Sequence, residues 1–268
     1  MSGDPSIGFY PPLSLDGSRI LLSNDDGVNA PGIKVLHKIA KSLSKDVWVC
    51  APEVEQSGAG HSLTLRRPLR IHKHGLKRYA VDGTPTDSVL LGIRELLKDK
   101  KQPTLLLSGV NRGANLAEDV HYSGTVAAAM EGTLLGVPSV ALSQMVRRGV
   151  DPNWAVAETF APDIIRKLLT IQWSQGVLMN INFPDCDPAE VKGVRFARQG
   201  SRKIGEQLGK RVDMRGEPYY WIGPISEDLH YPEGTDVGLI ADGYVTITPL
   251  QVDLTDGPTA KSLAKVFG

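Results

Sequence analysis

The run from Arg19 to Gly27 reads RILLSNDDG. Ile20, Leu21 and Leu22 give the signal of a short buried strand, and that signal stops at two adjacent aspartates and a glycine. In open α/β sheets, ligands bind just outside the carboxyl ends of the strands. A strand that ends in paired carboxylates therefore carries them to the binding edge. Side by side near a core they repel one another and lose hydration, and a cation offsets both penalties. The same pair also fits an Asx turn leading into a helix cap, so the reading turns on what else the chain brings to that edge.

Outward from this strand, apolar runs alternate with helical patterns. Residues 31–43 place Ile33, Leu36, Ala40 and Leu43 on one helical face, with Pro31 suited to the first turn. Further strands are expected at DVWVCAP (46–52), TLLLSG (104–109), VPSVALSQ (137–144) and VLMNINFP (177–184). Helices are expected over 85–98, 123–136 and 154–169. The alternation implies right-handed crossovers and a three-layer α/β fold, a parallel sheet with helices on both faces. Residues 63–83 break the rhythm as a hairpin around His74-Gly75. Beyond residue 185 helix signals fade, and GVRFARQG, PYYWIG and DVGLIADGYVTITPL predict β-hairpins before a closing helix at 258–267. The expected division is a disordered lead-in at 1–18, a catalytic core at 19–185, and a β-rich C-terminal arm with its helix at 186–268.

Composition narrows the function classes. Thirty Lys and Arg balance thirty Asp and Glu over 268 residues, which leaves no electrostatic footprint for duplex nucleic acid or an anionic membrane. The two cysteines, Cys50 and Cys186, make neither a disulfide framework nor a zinc site. No basic and apolar leader opens the chain and no apolar run reaches membrane-spanning length. The expectation is a cytoplasmic enzyme.

Four polar, glycine-punctuated loops fall at the same sheet edge. The first supplies Asp25 and Asp26, the second Ser57 between Gln56 and Gly58, the third Asn111, Arg112 and Asn115. Two carboxylates and two neutral oxygens, Ser57 and Asn111, suit a hard divalent cation and leave it partly uncompensated. That residual charge can hold an anionic substrate and a water. The fourth loop, Ser123-Gly124-Thr125, opens a helix, where free N–H groups and two hydroxyls make an anion cradle. Each motif alone also reads as an ordinary turn or cap. The chain has no GxxxxGK[ST] loop, no GxGxxG after the first strand and no GxSxG elbow. His61 and His121 lie in the same loops, where either could act as a general acid.

Together, ILLSNDDGVNAPGI, VCAPEVEQSGAGHSLT, VDGTPTDSV, SGVNRGANLAEDVHYSGTVAAAMEG and DGYVTITPLQVDLT resemble the SurE (survival protein E) nucleotidases, in the same order across residues 19–255. The resemblance implies a Rossmann-like α/β domain, a 5′-nucleotidase that hydrolyses nucleoside 5′- and 3′-monophosphates with a divalent metal, and exchange of the C-terminal segment within homodimers, sometimes paired into tetramers. By motif, the metal ligands fall on Asp25, Asp26, Ser57 and Asn111, and phosphate binding on Asn115, Ser123, Gly124 and Thr125. The expected cofactor is one Mg²⁺ or Mn²⁺ per subunit, with Asp25 and Asp26 as the catalytic pair. Nucleoside contacts are expected from the 63–83 hairpin or from Tyr219, Tyr220 and Trp221. A metal-dependent phosphatase acting on polyphosphate or sugar phosphates is the alternative that phosphate recognition leaves open.

Overall fold

Buried apolar runs order the molecule. The computed structural model describes residues 8–147, 149–202, 208–222 and 231–268. In chain order its elements are β1 Phe9–Tyr10, β2 Arg19–Ser23, α1 Pro31–Leu43, β3 Asp46–Pro52, β4 Ile71–Gly75, β5 Arg78–Val81 and α2 Pro85–Leu91. There follow β6 Leu105–Arg112, α3 Gly124–Leu134, β7 Ser139–Gln144, α4 Ala155–Leu168, β8 Trp173–Ser174 and β9 Val177–Phe183. The last are β10 Val194–Phe196, β11 Leu208–Val212, β12 Pro218–Ile222, α5 Asp236–Ala241, β13 Val245–Gln251 and α6 Gly257–Phe267.

Nine strands form one sheet in the order β10-β13-β9-β7-β6-β2-β3-β5-β4. The run from β9 to β5 is parallel, and β13 and β4 join it antiparallel. The central strands are apolar on successive residues because helices cover both faces. One face packs Ile33 and Leu36 of α1 with Val156 and Ile164 of α4. The other packs Val89 of α2 with Val126 and Ala128 of α3. Cys50 lies within that second core, and burial pushes its thiol up to about 12, so it stays protonated. The fold is thus the expected α/β class.

The differences from expectation have local causes. Phe9–Tyr10 of the expected disordered lead-in pairs with Trp173–Ser174, and the Tyr10 ring meets Trp173 edge-on at 6.2 Å. Residues 1–7 lie outside the described residues. Helix 85–98 ends as α at Leu91 and continues as a wider π turn over Gly92–Leu96. Strand β6 runs three residues beyond the expected 109, so Asn111 is a strand residue that pairs with Ser143.

Asp236–Ala241, read as strand, is helix: Thr235 caps it, accepting from the Gly238 N–H, and Val237 and Ile240 share a buried face. The sheet also continues across the expected boundary at 185, since β13 pairs along β9 from Thr246↔Asn182 to Gln251↔Val177. Within 186–268, the hairpin β11–β12 pairs only with itself among the described residues, and α6 buries no residue.

Candidate active site

The turn after β2 builds the site. Gly27 takes φ +101°, and Val28 N–H bonds the Pro52 carbonyl at 2.7 Å, so the chain folds back at once across β3. Asn24 is fully buried and its Nδ2 donates to the Gly27 carbonyl at 3.0 Å. Asp25 is buried and Asp26 is half-buried. The Asp25 backbone carbonyl accepts the Gln56 N–H at 2.8 Å, which docks the loop carrying Ser57 beside the pair. The Arg112 backbone N–H donates to the Asp26 carboxylate, which docks the end of β6. Ser57 and Asn111 therefore each sit one residue from a backbone contact to an aspartate. Gly109 makes the bend in β6 that permits this: its φ is +129°, and a Cβ there would collide with the Leu142 carbonyl.

The start of α3 closes the site from above. Gly124 packs so tightly that a Cβ on it would lie 2.6 Å from Asp25 Cβ. Thr125 is fully buried and its hydroxyl donates to Asp25 Oδ1. Ser123 caps the helix, its Oγ accepting from Val126 N–H at 3.0 Å. Both aspartates are held above the ordinary carboxylate range. Burial raises Asp25, and burial followed by the charge of Asp25 pushes Asp26 up to about 6. Glu55, which the sequence reading passed over, adds to the rise of both. It also accepts from Ser57 Oγ at 2.8 Å. Its position three residues past β3, two before Ser57, was the available signal.

The other expected site residues carry contacts of their own. The hydroxyl of Thr125, where a phosphate contact was expected, donates to Asp25 and so fixes that carboxylate. Asn115 is buried in a network: its Nδ2 donates to Ser143 Oγ, its N–H to Asn182 Oδ1, each at 2.8 Å. Its own carbonyl accepts from Asn180 and Asn182. Asn111 Nδ2 donates to the Gly113 carbonyl at 2.8 Å. His61 Nε2 lies 3.1 Å from Glu131 Oε2, and His121 is exposed at the end of the turn before α3. The β4–β5 hairpin sits at the outer edge of the sheet, and Tyr219, Tyr220 and Trp221 are exposed on β12. Among the described residues no three His, Cys, Asp or Glu side chains cluster as a metal site, so any ion here depends on neutral oxygens as well.

Beside Asp26 lies a cleft of about 500 Å³, walled by Glu55, Arg112, Asp151 and Trp154 and floored by the start of α1. The arrangement offers paired carboxylates, a helix N-terminus and space for a substrate body. Comparisons with known proteins agree with this architecture. The family model described as Survival protein SurE matches residues 20–206. A protein named 5′-nucleotidase SurE from Paramagnetospirillum magneticum is 57% identical over 259 residues, 96% of this chain and 99% of its own. Namesakes from Parvibaculum lavamentivorans and Rhodospirillum rubrum are 53% and 50% identical, over 93% and 97% of this chain and 91% and 100% of their own. The crystal structure of the SurE protein from Aquifex aeolicus superposes with a TM-score of 0.82 at 42% identity, covering 93% of this chain and 100% of that one. The chain belongs to the SurE family.

Proposed function

We propose that this chain is a metal-dependent phosphomonoesterase, a 5′-nucleotidase that hydrolyses nucleoside 5′- and 3′-monophosphates to nucleoside and phosphate. The observation that carries the reading is the Asp25–Asp26 pair, closed over by the first turn of α3. The name borne by the relatives, 5′-nucleotidase, supports the substrate class.

The residues fit a hard divalent cation. Two adjacent carboxyls are both pushed toward protonation by burial, the second also by the first, and a cation relieves that cost. Asp25, Asp26, Ser57 and Asn111 would hold one Mg²⁺ or Mn²⁺ per subunit through oxygen alone. When bound, the ion supplies Lewis-acid stabilisation of the charge on the transferring phosphoryl group. Thr125 fixes the Asp25 carboxylate. Ser123 still has its hydroxyl proton to donate, and with the Gly124 N–H at the start of α3 it binds the phosphate oxygens. A water attacking in line passes its proton to a carboxylate at the cleft wall, Asp26 or Glu55, while the bond from phosphorus to the nucleoside oxygen breaks and that departing oxygen takes a proton from solvent.

The chain assembles through the β11–β12 hairpin, as a dimer or tetramer formed by arm exchange. Exposed Tyr220, Trp221 and Ile222 on a hairpin that pairs with no other strand among the described residues support this. The proposed division is a core with this arm attached, and the proposed setting is the cytoplasm. Among the described residues no helix is long and apolar enough to cross a membrane.

The deciding experiment is a phosphatase screen over nucleotides, sugar phosphates and polyphosphate, with chelated and metal-supplemented protein. Nucleoside monophosphates should be the best substrates, with activity lost to chelator and restored by Mg²⁺ or Mn²⁺. Full activity in stripped protein, or a preference for polyphosphate or sugar phosphates, would refute the reading.

A further inference from the structure

A nucleotide held by its phosphate at Asp25 and Asp26 must lodge its nucleoside beside them. Two cavities near α3 and the sheet edge are large enough to consider. The smaller, about 270 Å³, is lined by His61, His121, Met130 and the end of β13, and by none of Asp25, Asp26, Ser57 or Asn111. The larger, about 500 Å³, has Asp26 itself in its wall. It falls within the usual volume range of small-molecule sites.

Trp154 is the aromatic side chain lining that cleft. It is held firmly. Its carbonyl accepts the Glu158 N–H at 2.9 Å as α4 begins, and the adjacent Ala155 N–H bonds Asn153 Oδ1 at 3.1 Å. The indole packs against the core and its Cη2 lies 3.4 Å from where a Gly32 Cβ would stand, against the start of α1. The side chain nevertheless remains partly exposed to the cleft. A rigid indole fixed on one side and open on the other is a platform on which any base can stack, because every base has a π-face. Arg112 and Asp151 stand in the same wall, and they offer donors and acceptors to the base edge and the ribose hydroxyls.

We infer that this cleft is the nucleoside subsite, with the base stacked on Trp154, an inference that rests on the nucleotidase reading above. The test is titration calorimetry on the Mg²⁺-supplemented full chain with the non-hydrolysable methylenephosphonate analogues of AMP and ribose 5-phosphate, because the phosphate esters would turn over during the titration. The second analogue shares the phosphonate and ribose and lacks the base. The wild type should bind the AMP analogue about tenfold tighter or more. Trp154→Ala should bring the two affinities to within about twofold of one another, and Trp154→Phe should keep most of the preference. Trp154→Leu, which fills the space without a π-face, should lose it as Trp154→Ala does, and serves if the alanine variant does not fold. A wild type that binds both ligands equally, or a leucine variant that keeps the preference, overturns the subsite. Turnover by the same proteins separates the two claims. Preference for the AMP analogue without hydrolysis of any phosphomonoester would refute the nucleotidase and leave the base platform standing.

Discussion

Gly124 opens α3 directly over Asp25, and replacing it with alanine tests the site without removing a polar atom. A Cβ there would stand 2.6 Å from Asp25 Cβ, 3.0 Å from Asp25 Oδ2 and 3.0 Å from Pro85 Cγ. Carbon atoms in contact sit about 3.5–4.0 Å apart, so Gly124→Ala drives Asp25 away by roughly 1 Å. Pro85 crowds the same position, and the Thr125 hydroxyl ties the helix to the same carboxylate. Helix propensity favours alanine by about 0.8–1.0 kcal/mol. Overpacking costs about 1–3 kcal/mol. The net destabilisation is therefore about 0–2 kcal/mol, a fall in Tm of less than about 8 °C for a domain of this size.

A displacement of about 1 Å in a reacting geometry costs on the order of 100-fold in rate. The expected result is a folded variant with kcat for AMP down about 100-fold. Gly257→Ala, at the first residue of α6 with nothing within 4 Å, is the control and should leave kcat unchanged. Steady-state hydrolysis of AMP and a thermal melt read the two quantities. Wild-type kcat in Gly124→Ala would show that the close approach of α3 to Asp25 has no part in catalysis, and the argument would fall.

Asp25→Asn and Asp26→Asn should each lower kcat by orders of magnitude while the circular dichroism spectrum stays that of the wild type; near-normal turnover in both would make the carboxylates structural. Asp46 carries a pH-dependent share of stability. Burial opposes its ionisation, but hydrogen bonds from Lys77, Arg19 and Trp48 hold its carboxyl down at about 2. A depressed folded value means that the contribution is present above the unfolded value, about 3.9, and is lost as pH falls from there toward 2. Urea unfolding should find Asp46→Asn weaker than wild type by about 1–2 kcal/mol at pH 6, after allowance for partial exposure, with the gap about halved at pH 3 and nearly closed as pH nears 2; a gap independent of pH would contradict this. Light scattering at micromolar concentration should give a dimer or larger for the full chain and a shift toward monomer for Trp221→Ser combined with Ile222→Ser, since both side chains are exposed on β12; a monomeric wild type would rule out arm exchange.

The parallel core could be read from residue order because each central strand is a short apolar run broken by polar turn residues. Ile20 to Leu22 followed by Asn24 to Gly27 is the clearest case, and the end of β2 lies where that break predicted. The turn Ser123-Gly124-Thr125 was equally plain as a helix start, since Ser123 is a strong cap and the alanines that follow favour helix. Asp236–Ala241 was not legible. Six residues with apolar pairs at short spacing fit either period, and the deciding cap from Thr235 adds little to the pattern. The two residues that anchor β1 hid in a Pro/Gly-rich lead-in because their partners, Trp173 and Ser174, lie far along the chain.

Residue order alone therefore determined the layered α/β class and brought the Asp25–Asp26 pair to the ligand edge, because a buried strand and its terminal turn are written in adjacent residues. Only the tertiary structure decided what each side chain does there. Thr125 reaches Asp25 across 100 positions. Asn115 spends its amide on Ser143 and Asn182, and Trp154 faces the cleft that holds Asp26. Those assignments depend on strand register and on how closely α3 packs over β2, distances that no local periodicity encodes.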